Sequence, residues 1–126
     1  MKTIMVIDDE ELVIKSVEKL LKRDGYEVIV CRSGDVAIQT IKTKDVDLIV
    51  CDIRMPSISG VETVKKIREI RQENKKSKIP EILMTGYADS ETNAEAERLQ
   101  VADYLYKPFD LRVFLDSVKK NIGDIK

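Results

Sequence analysis

The sequence predicts an α/β protein built on a doubly wound parallel sheet of five strands with five helices. Short apolar runs bounded by turn residues alternate five times with longer stretches whose apolar residues recur at helical spacing. Three of the runs are continuously apolar, as strands covered on both faces must be. A chain of 126 residues suffices for one sheet-based core and not for two, so residues 1–126 are read as a single domain.

The expected strands are Thr3 to Ile7, Glu27 to Cys31, Asp47 to Cys51, Glu81 to Met84 and Asp103 to Tyr106. The first helix carries Leu12, Val13, Val17, Leu20 and Leu21 on one stripe and closes near Asp24-Gly25, where glycine accepts a left-handed conformation. The second starts at Ser33 and runs through Val36, Ala37, Ile38 and Ile41. The third is announced by the capping box Ser59-Gly60-Val61-Glu62, with Val61, Val64, Ile67 and Ile70 facing inward. The fourth, about Asp89 to Leu99, is rich in Glu and Ala and should be weakly anchored. The fifth begins after Asp110 and buries Leu111, Phe114, Leu115 and Val118. The basic stretch Asn74 to Lys78 reads as a solvated turn before the fourth strand.

Composition narrows the function. With 22 basic against 23 acidic residues there is no broad positive field to attract nucleic acid, so direct binding of DNA or RNA is disfavoured. The N-terminal apolar run meets Asp8-Asp9-Glu10-Glu11 too soon for a signal peptide or membrane anchor, which implies a cytoplasmic protein without membrane association. Cys31 and Cys51 have no C-x-x-C spacing and read as buried, inert thiols. The chain contains no histidine, so any phosphohistidine donor must be another molecule.

In an open parallel sheet, ligands bind beyond the carboxyl ends of the strands. The residues expected there are Asp8 and Asp9 after the first strand, Asp52 after the third, Thr85 after the fourth and Lys107 after the fifth. If the first and third strands are neighbours, their ends lie about 5 Å apart, and three carboxylates crowd together and demand a cation. Carboxylate and carbonyl oxygens suit a hard ion such as Mg2+ or Mn2+, which leaves room for phosphate oxygens. Asp52 is then a plausible nucleophile, because carboxylates form acyl phosphates. Thr85 offers a hydroxyl to a phosphoryl oxygen, Lys107 a fixed positive charge, and Gly86 an unobstructed backbone N–H. Lys107-Pro108 is a candidate cis peptide. Singly, each residue has an ordinary use as a cap or turn residue; their convergence at one sheet edge carries the information.

Four segments in order, Ile7-Asp8-Asp9-Glu10, Asp52-Ile53-Arg54-Met55-Pro56 with Ser59-Gly60, Met84-Thr85-Gly86-Tyr87-Ala88 and Tyr104-Leu105-Tyr106-Lys107-Pro108-Phe109, resemble the receiver domains of bacterial two-component response regulators. The resemblance covers essentially the whole chain and implies a flavodoxin-like sheet of order 2-1-3-4-5. It implies that Asp52 is the phosphoacceptor, that Asp9, Asp52 and the backbone carbonyl of Arg54 bind magnesium, and that Asp8 holds it mainly through water. Thr85 and Lys107 would bind the phosphoryl group, Tyr104 would report the switch, and Arg54 and Tyr87 would tune the lifetime of the phosphorylated state.

The implied partners are a histidine kinase or histidine phosphotransfer protein, an output domain or downstream protein, and a phosphorylation-dependent homodimer through helix four, strand five and helix five. The chain would be a phosphoacceptor switch that assists its own phosphorylation and dephosphorylation, not an enzyme with a separate substrate. No output domain is expected within residues 1–126.

Three alternatives compete with this reading. A phosphatase of the haloacid dehalogenase type needs a second Asp two residues after the nucleophile, where Arg54 cannot exchange a proton near neutral pH. A flavin carrier is opposed by Asp8-Asp9-Glu10, which would repel the flavin phosphate, and neither a P-loop nor G-x-G-x-x-G is present. A pseudo-receiver acting only as an interaction module is the alternative kept.

Overall fold

A computed structural model describes residues 1–86 and 90–123, with the side chains of 90–93 left out. The chain order is β1 (Thr3–Ile7), α1 (Glu11–Arg23), β2 (Glu27–Cys31), α2 (Gly34–Ile41), β3 (Leu48–Asp52), α3 (Gly60–Glu73), β4 (Glu81–Thr85), α4 (Ser90–Leu99), β5 (Asp103–Tyr106) and α5 (Leu111–Ile122). The strands form one parallel sheet in the order β2-β1-β3-β4-β5, so the expected fold class and topology are those observed.

The period of two along each strand divides the core into two layers. Ile4, Val6, Leu48, Val50, Ile82 and Met84 face α1 and α5, where they meet Val17, Leu21, Phe114 and Val118. Met5, Ile7, Ile49, Cys51 and Leu83 face the other way and meet Ala37 and Ile41 of α2, Val64 and Ile67 of α3 and Ala96 of α4. This explains the uninterrupted apolar runs: both parities of a central strand are buried, and β3 and β4 are buried at every position.

Two helix stripes begin later than expected. Leu12 is 83% exposed and Leu111 44% exposed, whereas Ile14, not placed on the α1 stripe, is buried. Leu12 and Leu111 sit in the first turns of helices that start at the carboxyl edge of the sheet, where no strand lies beneath them. Val13, Leu20 and Leu115 are half-buried margins of the stripes.

The expected caps form. The Ser33 hydroxyl accepts from the Val36 N–H and the Ser59 hydroxyl from the Glu62 N–H, both at 3.2 Å, and Asp110 Oδ1 accepts from the Arg112 N–H at 2.7 Å. α4 runs from Ser90 to Leu99, and Ala96 is its one fully buried residue among the described side chains. Both cysteines are free and buried, and burial pushes the thiol of each upward. No helix among the described residues is long and apolar enough to cross a membrane.

Candidate functional site

Register brings the site together. Ile7 pairs with both Cys31 and Cys51, Asp52 with Met84, and Thr85 with Tyr106, so β1, β3, β4 and β5 run out at one edge within two residues of each other. Asp52 and Thr85 are the last residues of their strands rather than the first of the loops, because pairing continues through the Ile53 N–H, which donates to the Met84 carbonyl at 2.8 Å.

The loop leaving Asp52 is tightly held. The Gly60 N–H donates to the Ile53 carbonyl at 2.8 Å, and a Cβ on Gly60 would collide with the Asp52 carbonyl and the backbone of Ile53. Glycine at position 60 therefore lets the start of α3 lie directly against the strand that carries Asp52. Gly86 is different: a Cβ there would meet nothing within 4 Å among the described residues.

Lys107 organises the charges. Its ammonium lies 2.9 Å from Asp8 Oδ2, 2.9 Å from Glu10 Oε1 and 3.4 Å from Asp52 Oδ1. Asp8 is wholly buried and Asp52 nearly so, while Glu10 reaches in from an exposed position. The Asp8 carboxylate also accepts from the Glu10 N–H at 2.9 Å, which fixes the turn into α1. The expected cis peptide between Lys107 and Pro108 is present, and the Lys107 N–H donates to the Thr85 carbonyl at 2.6 Å.

The electrostatics follow from burial. Asp52 is raised to about 7, first by desolvation and then by the negative charge of Asp8, with the nearby Lys107 ammonium opposing and Glu10 adding a smaller rise. For Lys107, burial is the largest single influence and pulls downward, but its hydrogen bonds to Glu10 and Asp8 and the charge of Asp52 outweigh it, and it stays fully protonated.

Carboxylate oxygens of Asp8, Glu10 and Asp52 all lie within 4.8 Å of one another, so one atom from each can hold a metal ion. This donor set fits magnesium or manganese: hard oxygens, two of three residues buried, and one carboxyl raised by burial and then by the negative charge of Asp8, which a cation would offset.

Of the residues singled out beforehand, Asp8, Asp52, Thr85 and Lys107 come together at this edge. Asp9 is exposed and does not join the three-carboxylate group, whose third member is Glu10. Glu10 was the unassigned residue; the signal for it was its place in the Asp8-Asp9-Glu10 run. Arg54 stands in the β3–α3 loop beside Met55, Pro56 and Glu95, lining a shallow cavity of about 490 Å³. Tyr104 is half-buried against the α2–α4 layer, its ring 5.2 Å from that of Tyr106. Alternation along β4 and β5 puts Thr85 on that same face of the sheet, because Leu83 is in register with Tyr104 and Thr85 with Tyr106. Tyr87 lies outside the described residues.

The sequence matches the family model for the response regulator receiver domain over residues 4–119. It is 31% identical over 126 residues to the polar-differentiation response regulator DivK of Brucella ovis, covering 98% of each chain. It is 35% identical over 107 residues to the transcriptional regulatory protein ZraR of Escherichia coli O157:H7; that match covers 85% of this chain and spans only 23% of ZraR. Among solved structures, a CheY-like receiver domain protein from Methanospirillum hungatei JF-1 superposes with a TM-score of 0.87 at 25% identity, over 97% of this chain and 94% of that one. The chain therefore belongs to the receiver domain family of two-component response regulators.

Proposed function

We propose that the chain acts as one receiver unit over residues 1–126, in which Asp52 accepts a phosphoryl group in a magnesium- or manganese-dependent reaction. The donor is a phosphohistidine on a histidine kinase or histidine phosphotransfer protein. The observation that carries this reading is the buried Asp52 carboxylate at the sheet edge, with Lys107 3.4 Å away and Asp8 beside it.

An Asp52 oxygen forms a bond to phosphorus as the donor's P–N bond breaks, and the departing imidazole keeps the electron pair. When bound, the metal supplies positive charge against the oxygens of the transferring group. Asp9, Asp52 and the Arg54 carbonyl would hold it, with Asp8 acting mainly through water; the support for a cation at this edge is the group of Asp8, Glu10 and Asp52 carboxylates. Lys107 pairs with the phosphoryl oxygens and the Thr85 hydroxyl donates to one of them. Asp52 must be ionised to attack; burial and the charge of Asp8 favour its protonated form, and the positive charge of Lys107 and of a bound cation would oppose them.

Once Thr85 engages a phosphoryl oxygen, the end of β4 is drawn toward Asp52, and Tyr104, on the same face of the sheet, moves into the space released. This biases two states of the α4–β5–α5 face, through which an output domain, a downstream protein or a second copy is controlled. Among its described side chains α4 fully buries only Ala96, which supports that role. Arg54 and Tyr87 tune the phosphoryl lifetime. Borohydride reduction of the phosphorylated chain converts an acyl phosphate to homoserine; peptide mapping should find it at position 52, and homoserine elsewhere would overturn the assignment.

A further inference from the structure

We infer that Glu10 is a positioning residue that competes with the incoming phosphoryl group for the ammonium of Lys107. This deepens the reading of Asp52 as phosphoacceptor and rests on it.

Lys107 has two partners at the same distance but of opposite character. Asp8 Oδ2, 2.9 Å away, is wholly buried and has no solvent to turn to. Glu10 Oε1, also 2.9 Å away, belongs to a side chain that is 59% exposed. The first contact anchors the ammonium at the sheet edge. The second is released at little cost, because an exposed carboxylate regains water when it lets go. Asp52 is held more loosely than either, at 3.4 Å. The ammonium donates to Asp8 and Glu10 and stands 3.4 Å from Asp52, so a phosphoryl oxygen on Asp52 that draws it closer competes with those two partners. Glu10 is the cheapest partner to displace.

The local backbone fits this use. Glu10 is the N-cap residue of α1, yet its side chain makes no capping hydrogen bond, and its own N–H is fixed by Asp8. Its carboxylate is spent on Lys107 instead of on the helix, and replacing it removes no cap.

The test measures phosphorylation by acetyl phosphate at saturating Mg2+, with Mg2+ affinity obtained separately by calorimetry, for wild type, Glu10→Gln, Lys107→Ala and the double variant. Exposed ion pairs are weak, so Glu10→Gln should accelerate phosphorylation about two- to fivefold, with the Mg2+ Kd changed less than about threefold. The acceleration should vanish in the Lys107→Ala background. Unchanged rates in Glu10→Gln would overturn the inference. Equal acceleration in both backgrounds would show that Glu10 merely repels anionic donors, and a Kd weakened more than about tenfold would make it a metal ligand; either result removes the competitor role. If wild type itself takes no phosphoryl group, the phosphoacceptor reading fails and takes this inference with it.

Discussion

Asp8 and Lys107, 99 positions apart in sequence, share a 2.9 Å hydrogen bond that reaches from the end of β1 across β3 and β4 to the end of β5. It closes over Asp52 and ties both sides of the site to one buried ion pair.

Removing that tie leaves two buried carboxylates facing each other without a cation. Lys107→Ala is expected to lose about 2 kcal/mol of stability in urea unfolding at pH 8 with a chelator present. Saturating Mg2+ should restore most of it, because the ion replaces the missing charge.

The raised carboxyl of Asp52 predicts a pH dependence of stability. The folded state holds the proton up to about 7, whereas the unfolded chain releases it near 3.8. Between those values the folded state binds more protons, so this contribution is fully present below the lower value and is lost as pH rises through the upper one. Its size is on the order of 2–4 kcal/mol. Burial is the largest cause of the rise; of the charged groups that face Asp52, Asp8 and Glu10 add to it and Lys107 opposes it. In chelator, thermal midpoints should fall between pH 5 and pH 8 for wild type, and Asp52→Asn should flatten the fall and be the more stable protein at pH 8.

Asp9 is exposed and stands outside the three-carboxylate group, yet the proposed metal set includes it. Asp9→Asn should therefore weaken Mg2+ binding by about tenfold or more in calorimetry, with little change in thermal stability without metal. An unchanged affinity would move the metal to Asp8, Glu10 and Asp52.

Far from the site, Glu81 is 1% exposed in β4 and receives two 2.8 Å hydrogen bonds from Arg68 of α3. Arg68→Ala strands that carboxylate and should cost about 2–3 kcal/mol in urea unfolding while leaving the phosphorylation rate within twofold. Lys66, in an exposed 3.9 Å pair with Glu69, serves as the control: its replacement by Ala should change stability by less than about 0.5 kcal/mol.

The parts of this molecule readable from sequence were those governed by periodicity. Strand runs such as Leu48 to Cys51 and helix stripes such as Val64 and Ile67 repeat at the spacing of their elements, and the strand ends then delivered Asp8, Asp52, Thr85 and Lys107 to one edge. What periodicity does not govern was missed. Asp9 and Glu10 are adjacent acids in a turn, and which one reaches Lys107 depends on how the chain enters α1, with the Glu10 N–H drawn onto Asp8. Leu12 and Leu111 fit their helical stripes but start beyond the last row of the sheet, a limit set by tertiary placement rather than by spacing.

The central claim is tested most directly by intact mass after incubation with acetyl phosphate or phosphoramidate, with Mg2+ or with chelator, beside Asp52→Asn. The account predicts addition of one phosphoryl group to wild type that requires Mg2+ and is absent in the variant. No addition to wild type, or equal addition to Asp52→Asn, would contradict it.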